Sequence, residues 1–122
     1  MSVIPANSTV WAEIPVTDLD RAIAFYNKVL DTELKKEENG PNPMAVFPTS
    51  GRGVSGHLYP GKPAGDGSGP TIHLACPDAL EDALARVEAA GGKVLSDTIT
   101  IPAGRFAYCL DPDGNSIGIF SS

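Results

Sequence analysis

The chain has little that would tie it to nucleic acid, a membrane or an oxidising compartment. Lysine and arginine number 9 against 15 aspartates and glutamates, a net charge of −6 over 122 residues. The basic residues form no patch and no aromatic–basic stripe, so no nucleic-acid partner is expected. No apolar run approaches the roughly 20 residues of a membrane-spanning helix, so no membrane partner is expected either. The opening MSVIPANST carries neither a basic n-region nor a long apolar h-region, and no secretory signal is read there. There are only 2 cysteines, Cys76 and Cys109, each within an expected strand. They read as buried, reduced thiols in preference to a disulfide or a nucleophile. These absences together place the protein in the cytoplasm as an expectation.

What is present is one globular domain, 1–122, with 42% hydrophobic and 20% charged residues. Its organising stretch is Thr9 to Leu30, TVWAEIPVTDLDRAIAFYNKVL. Ala12, Ile14 and Val16 alternate with Trp11 and Glu13, the period of two that marks a strand. From Asp18 the period changes. Ala22, Ile23, Phe25, Tyr26, Val29 and Leu30 recur at spacings of three and four, one buried helix face. Asp18 stands where an N-cap belongs and Asp20 adds charge to the first turn. The apolar strand face packs on the helix in this reading. Trp11 and Glu13 are left on the other face, as a cavity wall.

Further strands are expected over Glu33–Glu38, Met44–Pro48 and Val54–Tyr59, with a turn at Asn39-Gly40-Pro41. Pro60 to Pro70, PGKPAGDGSGP, reads as a flexible connection. The pattern then starts again. Thr71–Cys76 is a strand with Thr71, His73 and Ala75 on one face and Ile72, Leu74 and Cys76 on the other. Asp78 opens a second helix, with Glu81 completing an Asp-x-x-Glu capping box, and Gly91-Gly92 ends it. Strands follow over Val94–Thr100, Arg105–Leu110 and Asn115–Phe120, with Asp111-Pro112-Asp113-Gly114 as a hairpin turn. A shift of 60 residues lays Asp18 on Asp78, Ile14 on Leu74, Val16 on Cys76 and Glu13 on His73. The fold class is therefore α+β. Two βαβββ modules, 9–59 and 71–120, stand in tandem with a Gly/Pro-rich linker, 60–70, between them. Their sheets curl around a shared cleft and their helices lie outside.

The segment Val10 to Tyr26, VWAEIPVTDLDRAIAFY, and the closing DPDGNSIGIF of 111–120 resemble the glyoxalase / bleomycin-resistance / extradiol-dioxygenase superfamily, the vicinal oxygen chelate fold. The likeness spans nearly the whole chain. It is nearest to the small bacterial proteins related to lactoylglutathione lyase. The superfamily includes lyases, isomerases, epimerases, dioxygenases, thiol transferases and metal-free drug-binding proteins, so the resemblance implies a fold and not one activity. Its metal-dependent members take a ligand from the first and fourth strand of each module. Of those four positions, Trp11 stands at the first and Gly118 at the last, and neither can ligate. His57 matches the second, and the third falls at Ile72 or His73, depending on a one-residue gap, with His73 on the proposed cleft face. Glu13, two residues beyond Trp11 on the same face, is a further candidate for the cleft.

Two readings follow from that carry-over. In one, Glu13, His57 and His73 converge on a single divalent metal, Zn²⁺, Ni²⁺, Fe²⁺ or Mn²⁺, for lyase, isomerase or dioxygenase-like chemistry on a small oxygen-rich substrate. Alternatively Glu13 alone is the catalytic acid or base. In the other reading the cleft is metal-free and sequesters a small molecule, with Trp11, Tyr59, Arg105 and Tyr108 as binding candidates. Glyoxalase I activity is not expected, because its four-ligand set is not retained. The resemblance also implies a homodimer.

Overall fold

The structure is a computed structural model that describes residues 4–38 and 40–122. The first residue of the turn expected at Asn39-Gly40-Pro41 lies outside the described residues, as do the first three of the opening MSVIPANST. Eleven elements follow one another: β1 (Trp11–Val16), α1 (Leu19–Leu30), β2 (Lys35–Glu37), β3 (Met44–Val46), β4 (Ser55–Pro60), β5 (Ile72–Ala75), α2 (Leu80–Ala89), β6 (Lys93–Val94), β7 (Ile99–Ile101), β8 (Gly104–Leu110) and β9 (Ser116–Ser121). The first sheet has the order β1-β4-β3-β2 and the second β5-β9-β8-β6, with β7 also pairing β8. In each sheet the first and last strands of the module run parallel side by side. The helix supplies the crossover that parallel neighbours need.

The tandem repeat holds at the level of register. Glu13 lies opposite His57 in the first sheet, and His73 lies opposite Gly118 in the second. The same pair of positions is thus filled by Glu–His in one module and His–Gly in the other. Each sheet turns one face to the helices. Ile14, Val16 and Leu58 from the first and Ile117, Ile119 and Cys109 from the second join Phe25, Tyr26, Val29, Leu80, Ala83 and Val87 in one buried cluster. The helices also touch each other.

Several local expectations change. Asp18 does cap α1, accepting from the Arg21 amide at 3.1 Å. Asp78 does not cap α2: Ala79 is the N-cap and no side chain bonds there. Both oxygens of Asp78 are taken by Arg86, at 2.8 Å each, and Glu81 is taken by Arg105. Two charged partners outcompete the cap. The single strand expected over Val94–Thr100 is two short ones, each paired to a different stretch of β8. The glycines of the linker serve conformation more than looseness. Gly65, Gly67 and Gly69 all take positive φ. The Gly67 amide donates to the Gly114 carbonyl at 2.9 Å, seating the linker on the Asp111–Gly114 turn.

Candidate functional site

Strand alternation and register decide which side chains share the face of the first sheet that α1 does not cover, here called its open face. Trp11, Glu13 and Pro15 of β1 stand beside Ser55, His57 and Tyr59 of β4. The open face of the second sheet is built the same way, from His73 and Ala75 of β5, Ser116, Gly118 and Phe120 of β9, and Phe106 and Tyr108 of β8.

His57 is the hub of the first face. The Trp11 indole Nε1–H donates to His57 Nδ1 at 2.9 Å. His57 Nε2 lies 3.2 Å from Glu13 Oε1. An indole nitrogen can only donate, so Nδ1 must be the unprotonated, accepting nitrogen. The proton then sits on Nε2, 3.2 Å from Glu13 Oε1 but outside hydrogen-bond geometry. The residue is buried, 9% exposed. Tyr59 stands beside it with ring centroids 6.0 Å apart, and Trp11 at 5.9 Å. Glu13 itself is open to solvent, its side chain 66% exposed.

The second face is aromatic. His73 meets Phe106 at 5.1 Å, Tyr108 at 5.9 Å and Phe120 at 6.2 Å, and Phe106 and Phe120 stack at 5.8 Å. The His73 ring lies over Gly118, so close that a Cβ on that residue would run into the imidazole. The His73 ring thus fills the space that a side chain at Gly118 would need. Phe106 and Phe120 escaped the sequence reading. The signal was their parity with Tyr108 along β8 and with Gly118 along β9.

The structure thus brings Glu13, His57, Trp11 and Tyr59 together, and places His73 and Tyr108 together on the other sheet. Arg105 joins neither group. It lies on the helix side of β8 and binds Glu81 with contacts at 2.8 and 3.3 Å. That arginine holds the Glu81 carboxyl down to about 2. Of the two cysteines, Cys109 is buried in β8, its thiol pushed up to about 11 by that burial. Cys76 follows β5 and is half-buried, with its thiol also raised by desolvation.

A divalent metal does not fit these residues. To ligate through Nε2, His57 would have to move its proton to Nδ1, where the Trp11 N–H already points. Trp11 thus cannot ligate, and it also blocks the neighbouring imidazole from doing so. Among the described residues no three His, Cys, Asp or Glu side chains gather as a ligand set.

Two cavities lie beside these faces. The larger, about 730 Å³, runs along the unpaired edge of β5 and is lined by Ile14, Leu30, Phe47, Val54, Ile72 and Leu74 among others. It is mainly apolar, and of the candidate site residues only His73 borders it. The smaller, about 190 Å³, is lined by Glu13 together with Pro15, Ser68, Asn115 and Ser116. Neither cavity is bordered by Trp11, His57 or Tyr59.

The profile of the superfamily described as Glyoxalase/Bleomycin resistance protein/Dioxygenase matches residues 8–119. Among curated proteins no match was found. Solved structures are similar in fold. A glyoxalase/bleomycin resistance protein from Albidiferax ferrireducens T118 is 23% identical with a TM-score of 0.71, covering 95% of this chain and 99% of that one. A lactoylglutathione lyase from Agrobacterium tumefaciens is 21% identical with a TM-score of 0.62, covering 97% and 96%. A glyoxalase/bleomycin resistance protein/dioxygenase family enzyme from Burkholderia phytofirmans PsJN is 15% identical with a TM-score of 0.67, covering 92% and 96%.

Proposed function

The chain belongs to the glyoxalase/bleomycin resistance protein/dioxygenase superfamily, and we propose that it is a metal-free member whose Glu13 face binds a small molecule. The observation that carries this reading is the Trp11–His57 hydrogen bond. It commits Nδ1 as an acceptor and leaves His57 no lone pair for a metal. What Glu13 and His57 offer instead is a solvent-exposed carboxylate with an imidazole nitrogen 3.2 Å from one of its oxygens. Such a pair orients a ligand through hydrogen bonds, and the carboxylate can also accept a proton from one.

A second reading keeps the metal-assisted lyase or isomerase chemistry that members of this fold carry out. Its support is that Glu13 Oε1 and His57 Nε2 lie 3.2 Å apart on one face, and it requires the Trp11 indole to release His57 Nδ1. Elemental mass spectrometry of untagged protein, before and after incubation with Zn²⁺, Ni²⁺, Mn²⁺ and Fe²⁺, separates the two. The metal-free reading expects no stoichiometric metal. It also expects long-range ¹⁵N correlation spectra to report His57 as the Nε2–H tautomer, released in Trp11→Phe. One metal per chain, lost in His57→Ala, would overturn it. The proposed assembly is a homodimer. Its support is the exposed apolar pair Val10 and Val54, just before β1 and β4.

A further inference from the structure

We infer that the Glu13 face recognises a small organic cation, with Glu13 as counter-charge and Trp11, His57 and Tyr59 as an aromatic wall. The inference rests on the metal-free reading and names the class of ligand for the same site.

The charge around Glu13 is the first ground. Among the described residues the ion pairs formed by arginine and lysine go elsewhere: Arg21 to Asp113, Lys36 to Asp20 and Glu38, Arg86 to Asp78 and Arg105 to Glu81. Among the described residues the only ion-pair neighbour of Glu13 is His57, at 3.2 Å. That ring accepts the Trp11 N–H at Nδ1, and no lysine or arginine balances the carboxylate. The whole chain adds to the field, with a net charge of −6 that disfavours anions.

The second ground is what surrounds the carboxylate. Trp11 is 46% exposed, and its N–H is already used against His57. The ring is therefore pinned at its polar edge and presents its π surface. His57 links Trp11 on one side to Tyr59 on the other. A carboxylate beside the exposed indole of Trp11 attracts a cation twice, through charge and through the ring quadrupole. None of the three rings borders the cavity of about 190 Å³ that Glu13 lines, so the cation, a compact group such as an amidinium or a substituted ammonium, sits over the open face between Glu13 and Trp11.

Benzamidinium, with benzoate as its anionic isostere, tests the assignment. Binding is followed by fluorescence of the only tryptophan in the chain and, independently, by shifts of the Trp11 indole N–H and Tyr59 ring signals in NMR. Saturable binding of benzamidinium, at least tenfold weaker in Glu13→Gln and weakened by salt, is expected, with no binding of benzoate. Glu13 is exposed, so the Gln variant should fold, which circular dichroism checks. Benzoate binding as tightly, benzamidinium binding unchanged in Glu13→Gln, or no response of either signal to benzamidinium would each overturn the inference. Any of these in protein that also takes up no metal removes the cation and leaves the metal-free reading standing. Stoichiometric metal uptake removes both.

Discussion

At the scale of single residues, the two modules solve one structural position in opposite ways. Glu13–His57 and His73–Gly118 are equivalent pairs across the parallel strands. In the first module both residues carry polar side chains and the imidazole lies between two partners. In the second the imidazole stacks among three aromatic rings and lies across the glycine. A side chain at Gly118 and the present His73 rotamer exclude each other. Gly118→Ala should therefore cost about 1–3 kcal/mol through overpacking. Most of that cost should disappear in a His73→Ala background, because truncation empties the space. Urea denaturation of the wild type, the two single variants and the double variant forms the cycle that checks this. Strictly additive effects would mean that the ring and the glycine are not coupled.

At the scale of elements, helix α2 is held by charge where α1 is held by a cap. Asp18 closes the start of α1, whereas the first turn of α2 is tied to β8 by Glu81 and Arg105. Arg105 lowers the Glu81 carboxyl to about 2, and Arg86 lowers that of Asp78. A carboxyl lowered in the folded state stabilises it above the unfolded value, near 4.5 for glutamate. That contribution fades as pH falls through the folded value. The melting-temperature gap between wild type and Arg105→Gln should thus be constant above about pH 5 and close as pH falls towards 2. Thermal melts across that range test it, and a gap independent of pH would place the effect of Arg105 in packing instead. Much of the element plan was legible beforehand, since β1 and α1 announce themselves by a change of period at Asp18. The cap of α2 was not, because Asp78-x-x-Glu81 fits the pattern while two arginines remote in sequence claim both carboxylates. The placing of Arg105 was legible and missed: 105 and 108 differ by an odd number, so in one strand they face opposite ways. His57 and Glu13 could be assigned to one face by parity. The tautomer of His57 could not, because it depends on a register that puts the Trp11 indole at its other nitrogen.

At the scale of the whole molecule, the modules of one chain meet through the helices and through the turn before β9, and the face carrying Glu13 remains open. The Tyr26 hydroxyl donates to Asp111 Oδ2 at 2.6 Å, and Asn115 Nδ2 bridges that same oxygen to the Pro15 carbonyl. Arg21 and Thr17 reach Asp113, and Arg86 reaches the Val29 carbonyl. Asp111 is 3% exposed and Tyr26 fully buried. The phenol is held well above its ordinary range, first by burial and then by the charge of Asp111, so it stays a donor at every physiological pH. The sequence placed Tyr26 on the buried face of α1 and Asp111 in a tight turn, but nothing in the spacing of 85 residues joined them. Removing the hydroxyl in Tyr26→Phe leaves a buried carboxylate short of one donor and should cost about 1–3 kcal/mol. The bond crosses between modules that share one apolar cluster, so the loss should lower a single transition and not split it in two. Scanning calorimetry distinguishes the outcomes. A calorimetric enthalpy equal to the van't Hoff value in both proteins, with a lower melting temperature in the variant, means the modules unfold together. Two separated transitions in Tyr26→Phe would mean that this one hydrogen bond, and not the shared core, makes the halves cooperate.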